Sequence, residues 1–158
     1  STDPFNLRHI TPADFLSQLT PTQKTYALSA LENIGSNITH RKRIGQIYQN
    51  ALPSIGFEAI PNTPERETVY LRYPLRIQNK HDFLKQAKRY KIEIGDWFSA
   101  PLHNHKAPLD VYQYQNGQCP HAETTCNQVI NLPTHQLIST NDADNIIQFL
   151  QQYAIPLS

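Results

Sequence analysis

The chain has 158 residues, with 14 Lys and Arg against 13 Asp and Glu, and a net charge of +1. That length fits one domain, or one domain with an arm, and can bury enough surface to fold without a disulfide scaffold. The near-neutral balance argues against a nucleic-acid footprint, which needs a clear basic excess. No apolar run approaches the ~18–20 residues that a membrane helix requires. The hydrophobic share is 39% and the mean hydropathy −0.55. Asn and Gln account for 26 residues, so the polarity is mostly uncharged. The first residues, Ser-Thr-Asp-Pro-Phe-Asn, have neither the basic region nor the apolar core of a signal peptide. The chain contains no Met, which leaves a removed initiator and a start inside a longer reading frame as the two readings. The two cysteines, Cys119 and Cys126, make no disulfide framework. On one helix they would lie about two turns apart, beyond bridging distance. The expected compartment is a reducing cytoplasm.

In chain order, residues 1–20 read as a lead-in, with a short helix expected at Ala13–Leu19. Thr20-Pro21 is a helix start, with Thr as N-cap and Pro at the first helical position. Apolar residues then fall at Ala27, Ala30, Leu31, Ile34, Ile38, Ile44, Ile47, Tyr48, Ala51 and Leu52, one helical stripe. Pro53 would stop the helix, and Gly35-Ser36-Asn37 is its expected bend. Uninterrupted, it would be about 50 Å long, more than a compact domain needs. The glycosylation-like Asn37-Ile38-Thr39 sits within this pattern, whereas acceptors belong on surface loops. Arg41-Lys42-Arg43 reads as a solvated helix face. A proline-bearing loop follows from Pro53 to Glu67.

Thr68–Ile77 reads as a strand, with Pro74 suggesting an edge or bulge. Asn79 is expected to cap a helix over Lys80–Tyr90, with Phe83, Leu84 and Ala87 inward. Ile92-Glu93-Ile94 is a short strand ended by Gly95, and Asp96 to Gln118 a long loop. Pro120 opens a helix through Ile130, with Ala122, Cys126, Val129 and Ile130 inward. Asn131-Leu132-Pro133-Thr134-His135 is an extended link. Thr140 or Asn141 caps a last helix, Asp142–Tyr153, burying Ile146, Ile147, Phe149 and Leu150. The expected fold is α+β: a small open, mostly antiparallel sheet with helices on one face, carried on a long helical arm. Two strands are too few for independent stability, so a third is expected at His135–Ile138 or Asp110–Tyr114.

Two stretches are similar to one family. Leu19–Ile34 with His40-Arg41-Lys42-Arg43-Ile44-Gly45-Gln46-Ile47-Tyr48 resembles the connecting helix of the DegT/DnrJ/EryC1/StrS aminotransferases. Tyr70-Leu71-Arg72-Tyr73-Pro74-Leu75, Ile94-Gly95-Asp96-Trp97-Phe98, Pro101-Leu102-His103, Cys119-Pro120-His121-Ala122-Glu123 and Asn131-Leu132-Pro133-Thr134-His135 follow in the family's order and spacing. The resemblance spans roughly residues 18–153. It implies the C-terminal small domain of a fold-type-I pyridoxal-phosphate enzyme that moves an amino group, commonly from glutamate, to a keto-sugar nucleotide in cell-surface polysaccharide or related sugar biosynthesis. The implied organisation is a lead-in from a missing large domain over 1–20, a connecting helix over 21–52 and a small domain over 53–158, in a cytoplasmic parent that pairs as a homodimer.

Transamination needs a lysine to hold the cofactor and shuttle the proton. Lys24, Lys42, Lys80, Lys85, Lys88 and Lys91 have the spacing of solvent-facing helix residues, and Lys106 has no glycine-rich phosphate cradle beside it. No catalytic, cofactor-binding or metal-ligating residue is therefore assigned, and the isolated chain is expected to be inactive. The resemblance points to Trp97 and His103 as substrate-side residues, because the family's Pro-x-His loop approaches the mouth of the active site. Trp97 and Phe98 offer flat apolar faces that suit stacking or core packing. Asp96 is expected to cap or turn the loop, Glu123 to favour a helix dipole, His135 to make a structural hydrogen bond and Arg72 to stack or pair.

Two rival readings stand beside this one. His103-x-His105 and Cys119-x-His121 supply four possible zinc donors, but at no strong spacing. The stripe from Ile34 to Leu52 could instead dock a non-catalytic interaction or regulatory module on a partner.

Overall fold

The computed structural model describes residues 17–61, 63, 65, 67–102 and 113–157. The described residues form an α+β structure in the order α1 (Pro21–Glu32), α2 (Ile34–Ala51), a 3-10 turn (Leu52–Ile55), β1 (Arg72–Arg76), α3 (Lys80–Tyr90), α4 (Pro120–Cys126), β2 (Val129–Pro133) and α5 (Thr140–Tyr153). The chain divides into two compact units between Gly35 and Ser36.

The first unit contains α1. Thr20 caps it through a reciprocal pair with Gln23, and Pro21 occupies the first turn. The helix breaks at Asn33, two positions before the expected bend at Gly35. The cause is local: the Ser29 carbonyl accepts from both the Asn33 backbone N–H and the Asn33 side-chain amide. No residue of α1 is buried, so Ala27, Ala30 and Leu31 do not continue a core-facing stripe. Of the helix expected at Ala13–Leu19, the described residues Ser17–Leu19 are not helical, and the rest lies outside the described residues.

The second unit holds one hydrophobic core. Ile44 and Tyr48 reach it from α2, Leu52 from the 3-10 turn that follows, Phe83 and Ala87 from α3, and Ala143, Ile146, Phe149 and Leu150 from α5. Leu84 and Ile147, expected inside, are only partly buried at its margin. The buried helical side chains share this core with Tyr73, Leu75, Ile130 and Leu132 from the sheet. The sheet is a two-stranded antiparallel pair, with Tyr73 opposite Leu132 and Leu75 opposite Ile130. These cross-strand partners share one face, as side chains alternate along a strand. Arg72, Pro74, Asn131 and Pro133 belong to the other face.

Strand β1 is shorter than the expected Thr68–Ile77, and its central residue is Pro74. Hydrogen-bonded and non-hydrogen-bonded pairs alternate in an antiparallel ladder. Asn131 turns both backbone groups away from β1, towards Gly95. Its pairing with Pro74 is thus non-hydrogen-bonded, and the missing proline N–H costs no ladder bond.

Three expectations are corrected. The segment read as the tail of a helix and an extended link is β2: α4 ends at Cys126, and Val129–Pro133 pairs with β1. Ala122 is accordingly exposed, while Cys126 is buried. The expected strand at Ile92–Ile94 is a single bridge between Gly95 and Asn131, on the edge of β2 opposite β1. That bridge supplies the third sheet position, whereas His135–Ile138 forms a turn. In the other proposed location, residues 110–112 lie outside the described residues, and 113–114 are not strand.

Helix α3 has the expected bounds, yet Asn79 does not cap it with its side chain. Its amide instead donates to the Tyr153 carbonyl, and its Oδ1 accepts from the Ile155 N–H, tying the C-terminal segment to α3. Helix α5 begins at Thr140, two residues earlier than expected, because Ser139 forms the capping box with Asp142. The Ser139 hydroxyl and backbone hold the Asp142 carboxyl below the usual carboxylate range.

A depressed folded-state carboxyl contributes stability above its ordinary value, and that contribution is lost as pH falls through the lowered value. Ser139→Ala is therefore expected to lower the urea midpoint near neutral pH, and to narrow the gap from wild type as the pH falls below about 4. The buried Tyr48 hydroxyl donates to the Pro133 carbonyl at 3.0 Å. Tyr48→Phe leaves that carbonyl without its donor and is expected to cost about 1–2 kcal/mol in urea unfolding with an unchanged m-value.

Candidate functional site

The site is built around the segment Gly95–Phe98. Gly95 pairs with Asn131 through reciprocal backbone bonds of 2.8 and 2.9 Å. The Asn131 side chain is buried and accepts from the Trp97 backbone N–H at 2.9 Å. Between these contacts, Asp96 forms an ion pair with Lys80 at 2.7 Å. Lys80 is only 7% exposed, and its Nζ also donates to the Cys126 carbonyl at 2.6 Å. The lysine expected on the solvent face thus joins α3, the end of α4 and the site segment. A buried ammonium needs such partners, and Asp96 supplies the charge. Asp96 accordingly acts as an ion-pair partner in place of the expected cap.

Trp97 remains 45% exposed and is stacked with Phe98, their ring centroids 5.8 Å apart and their planes 18° from parallel. Phe98 has φ of +64°, an uncommon backbone state for a bulky side chain. The Arg72 guanidinium lies 5.9 Å from the centre of the Trp97 ring, within cation–π range. It also crosses Gly95 closely: a Cβ there would stand 2.7 Å from Arg72 Nη1. Glycine is required at this crossing for the arginine to keep its place. The expectation that Arg72 stacks is met.

Arg41, Leu71, Arg72, Trp97, Pro133 and His135 line a cleft of about 170 Å³ beside this segment. Arg41 is not a solvated helix-face residue. Its Nε donates to Asn37 Oδ1, and its Nη1 donates to the Leu71 carbonyl and to the hydroxyl of the fully buried Thr134. Asn37 lies within α2, as its helical pattern predicts. His135 contacts the Glu93 carboxylate at 2.9 and 3.1 Å, and its own carbonyl accepts from His40 Nε2 at 3.0 Å.

His103, the other expected substrate-side residue, lies outside the described residues, as does His105. Glu123 does more than face a helix dipole: it accepts from the Tyr114 hydroxyl at 2.5 Å and the Gly117 N–H at 2.7 Å. The Tyr114 bond lowers the Glu123 carboxyl, and the carboxylate pushes the Tyr114 phenol up to about 12. Both cysteines are free, and burial pushes the Cys126 thiol up. Among the described residues, no group of three or more His, Cys, Asp or Glu could hold a metal ion. None of their helices is long and apolar enough to cross a membrane.

The model of the DegT/DnrJ/EryC1/StrS aminotransferase family matches residues 9–151. The chain belongs to that family. Its structure is similar to a DegT/DnrJ/EryC1/StrS aminotransferase from Brucella abortus, with a TM-score of 0.70 at 22% identity, covering 86% of this chain and 36% of that one. It is also similar to S. venezuelae DesV solved with a ketimine intermediate, with a TM-score of 0.71 at 18% identity, covering 89% and 38% respectively. NtdA from Bacillus subtilis, with bound cofactor PMP, matches with a TM-score of 0.67 at 18% identity, over 82% of this chain and 31% of that one. At these identities the likeness concerns the fold. The chain spans about a third of the length of these solved relatives.

The family's cofactor needs a free lysine amine, and the described lysines do not fit that need. Lys80 is the buried one, and its amine is already held by Asp96 and the Cys126 carbonyl. Lys42 pairs with Glu67, while Lys24, Lys85, Lys88 and Lys91 are exposed. No step of amino transfer is therefore assigned to these residues.

Lys80→Met is expected to cost about 1–3 kcal/mol, because it leaves the Cys126 carbonyl without this donor and Asp96 unpaired. Trp97 is the only tryptophan in the chain. Its fluorescence should become more accessible to acrylamide in Lys80→Met, with the far-UV circular dichroism retained.

Proposed function

We propose that this chain is the C-terminal portion of a pyridoxal-phosphate-dependent sugar aminotransferase. In this reading a large domain that precedes it supplies the cofactor lysine, the acid paired with the pyridine nitrogen and the phosphate cup. The parent moves an amino group, with glutamate as the expected donor, to a keto-sugar nucleotide in cell-surface polysaccharide or related sugar biosynthesis. It works in the cytoplasm as a homodimer. Residues 1–20 lead in from the large domain, 21–52 connect, and 53–158 form the small domain. The observation that carries the reading is the family match over residues 9–151 in a chain that spans about a third of its solved relatives. Further support is that the buried Lys80 is committed to Asp96.

Within the parent, this chain's part is to bind and orient. Trp97 and His103 form the substrate-side wall. Trp97 suits that role because it is half-exposed while its backbone is anchored to the sheet through Asn131. An aromatic face held by the scaffold stacks on a ligand with little loss of side-chain freedom. The rival reading as an interaction module has less to rest on, because Ile44, Tyr48 and Leu52 of the apolar stripe are buried in the chain's own core.

The test is the coding DNA upstream of Ser1 and the enzyme it specifies. An in-frame large domain is expected, and the full-length product should transfer an amino group from glutamate to a keto-sugar nucleotide. Trp97→Ala should lower its kcat/KM for the sugar about tenfold or more while leaving the half-reaction with the donor within about twofold. A stop codon and start site just before Ser1, or a full-length product without transaminase activity, would overturn the reading.

A further inference from the structure

We infer that the cleft between Arg41 and Arg72 is an oxyanion-binding site, taking a phosphate or a carboxylate group of a small ligand. The argument starts from unused hydrogen-bond donors. Among the described residues, the Arg72 guanidinium makes no hydrogen bond or ion pair, and its described polar contact is the Trp97 ring. Arg41 spends Nε on Asn37 and Nη1 on Leu71 and Thr134, and its Nη2 has no hydrogen-bond partner among the described residues. Both arginines line the same cleft, and among the described residues no acidic side chain lines it. The nearby Glu93 carboxylate is engaged by the His135 imidazole.

Two cations sharing one partly enclosed cleft repel each other, and a bound anion relieves that repulsion. A planar guanidinium with free N–H groups matches the paired oxygens of carboxylate and phosphate. The cleft is also held in shape before any ligand arrives. Arg41 is fixed by the buried Thr134 hydroxyl and the Leu71 carbonyl. Arg72 follows Leu71 in the chain, and its side chain crosses Gly95, where any Cβ would collide with it. Trp97, anchored through Asn131, supplies an apolar wall. A volume of about 170 Å³ admits one oxyanion group with the first atoms attached to it.

The 158-residue chain is titrated with inorganic phosphate and, separately, with succinate at low ionic strength, while Trp97 emission is followed. A saturable change is expected, in the millimolar range proper to so small a ligand. Arg72→Gln should weaken binding about tenfold or more, and Arg72→Lys, which keeps the charge but not the fork, by less. Gly95→Ala keeps both charges and should also weaken binding, because it displaces the guanidinium. Arg43→Gln, an exposed charge of α2 outside the cleft, should bind as wild type does within about twofold. Far-UV circular dichroism establishes that each variant is folded, and if Gly95→Ala is not, the two Arg72 variants decide. Tighter binding of phosphate assigns the site to a phosphorylated ligand, and tighter binding of succinate to a carboxylate ligand. No saturable response to either anion overturns the inference, and so does Arg72→Gln binding within about twofold of wild type. Binding is read without turnover, so its failure and that of the aminotransferase reading are separate results.

Discussion

Asn131 is the residue on which the site depends. It sits in the middle of β2, buried, with its backbone N–H and carbonyl both given to Gly95 and its side-chain oxygen given to Trp97. A single residue thereby sets both where the site segment joins the sheet, through its backbone, and where it leaves, through its side chain. Its partner on the other strand is Pro74, which has no N–H to offer. The strand pair tolerates that proline only because Asn131 faces its bonding groups the opposite way. Were the register shifted by one residue, proline would fall on a ladder bond and Asn131 would point into the core with Tyr73 and Leu75.

The local features of the fold were legible in the sequence, and the non-local ones were not. Thr20-Pro21 announced α1, and the spacing of Phe83 and Ala87 announced α3 with its observed bounds. These depend on neighbours within four residues. Strand β2 was obscured because Val129 and Ile130 continue the apolar period of α4, and Pro133 discourages a strand assignment. Lys80 was misread for a related reason. Its position on the helix suggests solvent, but its ion-pair partner lies beyond the helix, at Asp96. A buried lysine leaves no signature in periodicity, because the compensating charge can come from anywhere in the chain.

The site divides in the same way. Trp97 could be named from its motif, since an aromatic next to Gly-Asp is visible in a string of letters. Its anchors Asn131 and Lys80 could not, since their roles are tertiary. Arg41 and Arg72 stand 31 positions apart by residue number, and only the folded chain brings them to one cleft. The family resemblance found the right segments but not their energetics. It marked Gly95 and Asp96 as motif letters, whereas the structure makes one a crossing point for a guanidinium and the other a counter-charge for a buried amine.

Pro74 has a further consequence at the outer side of β1. Backbone groups along a strand alternate between its two neighbours, so those of Arg72, Pro74 and Arg76 face away from β2. An intruding strand would look for donors there and would find the middle one missing. It would also meet a cationic side chain on either side of the gap. Exposed edges recruit foreign strands when they are flat and fully bonded, and proline with flanking charge is a recurrent protection against that. The residue least suited to a strand thus leaves that edge without its middle donor, a poor template for another chain.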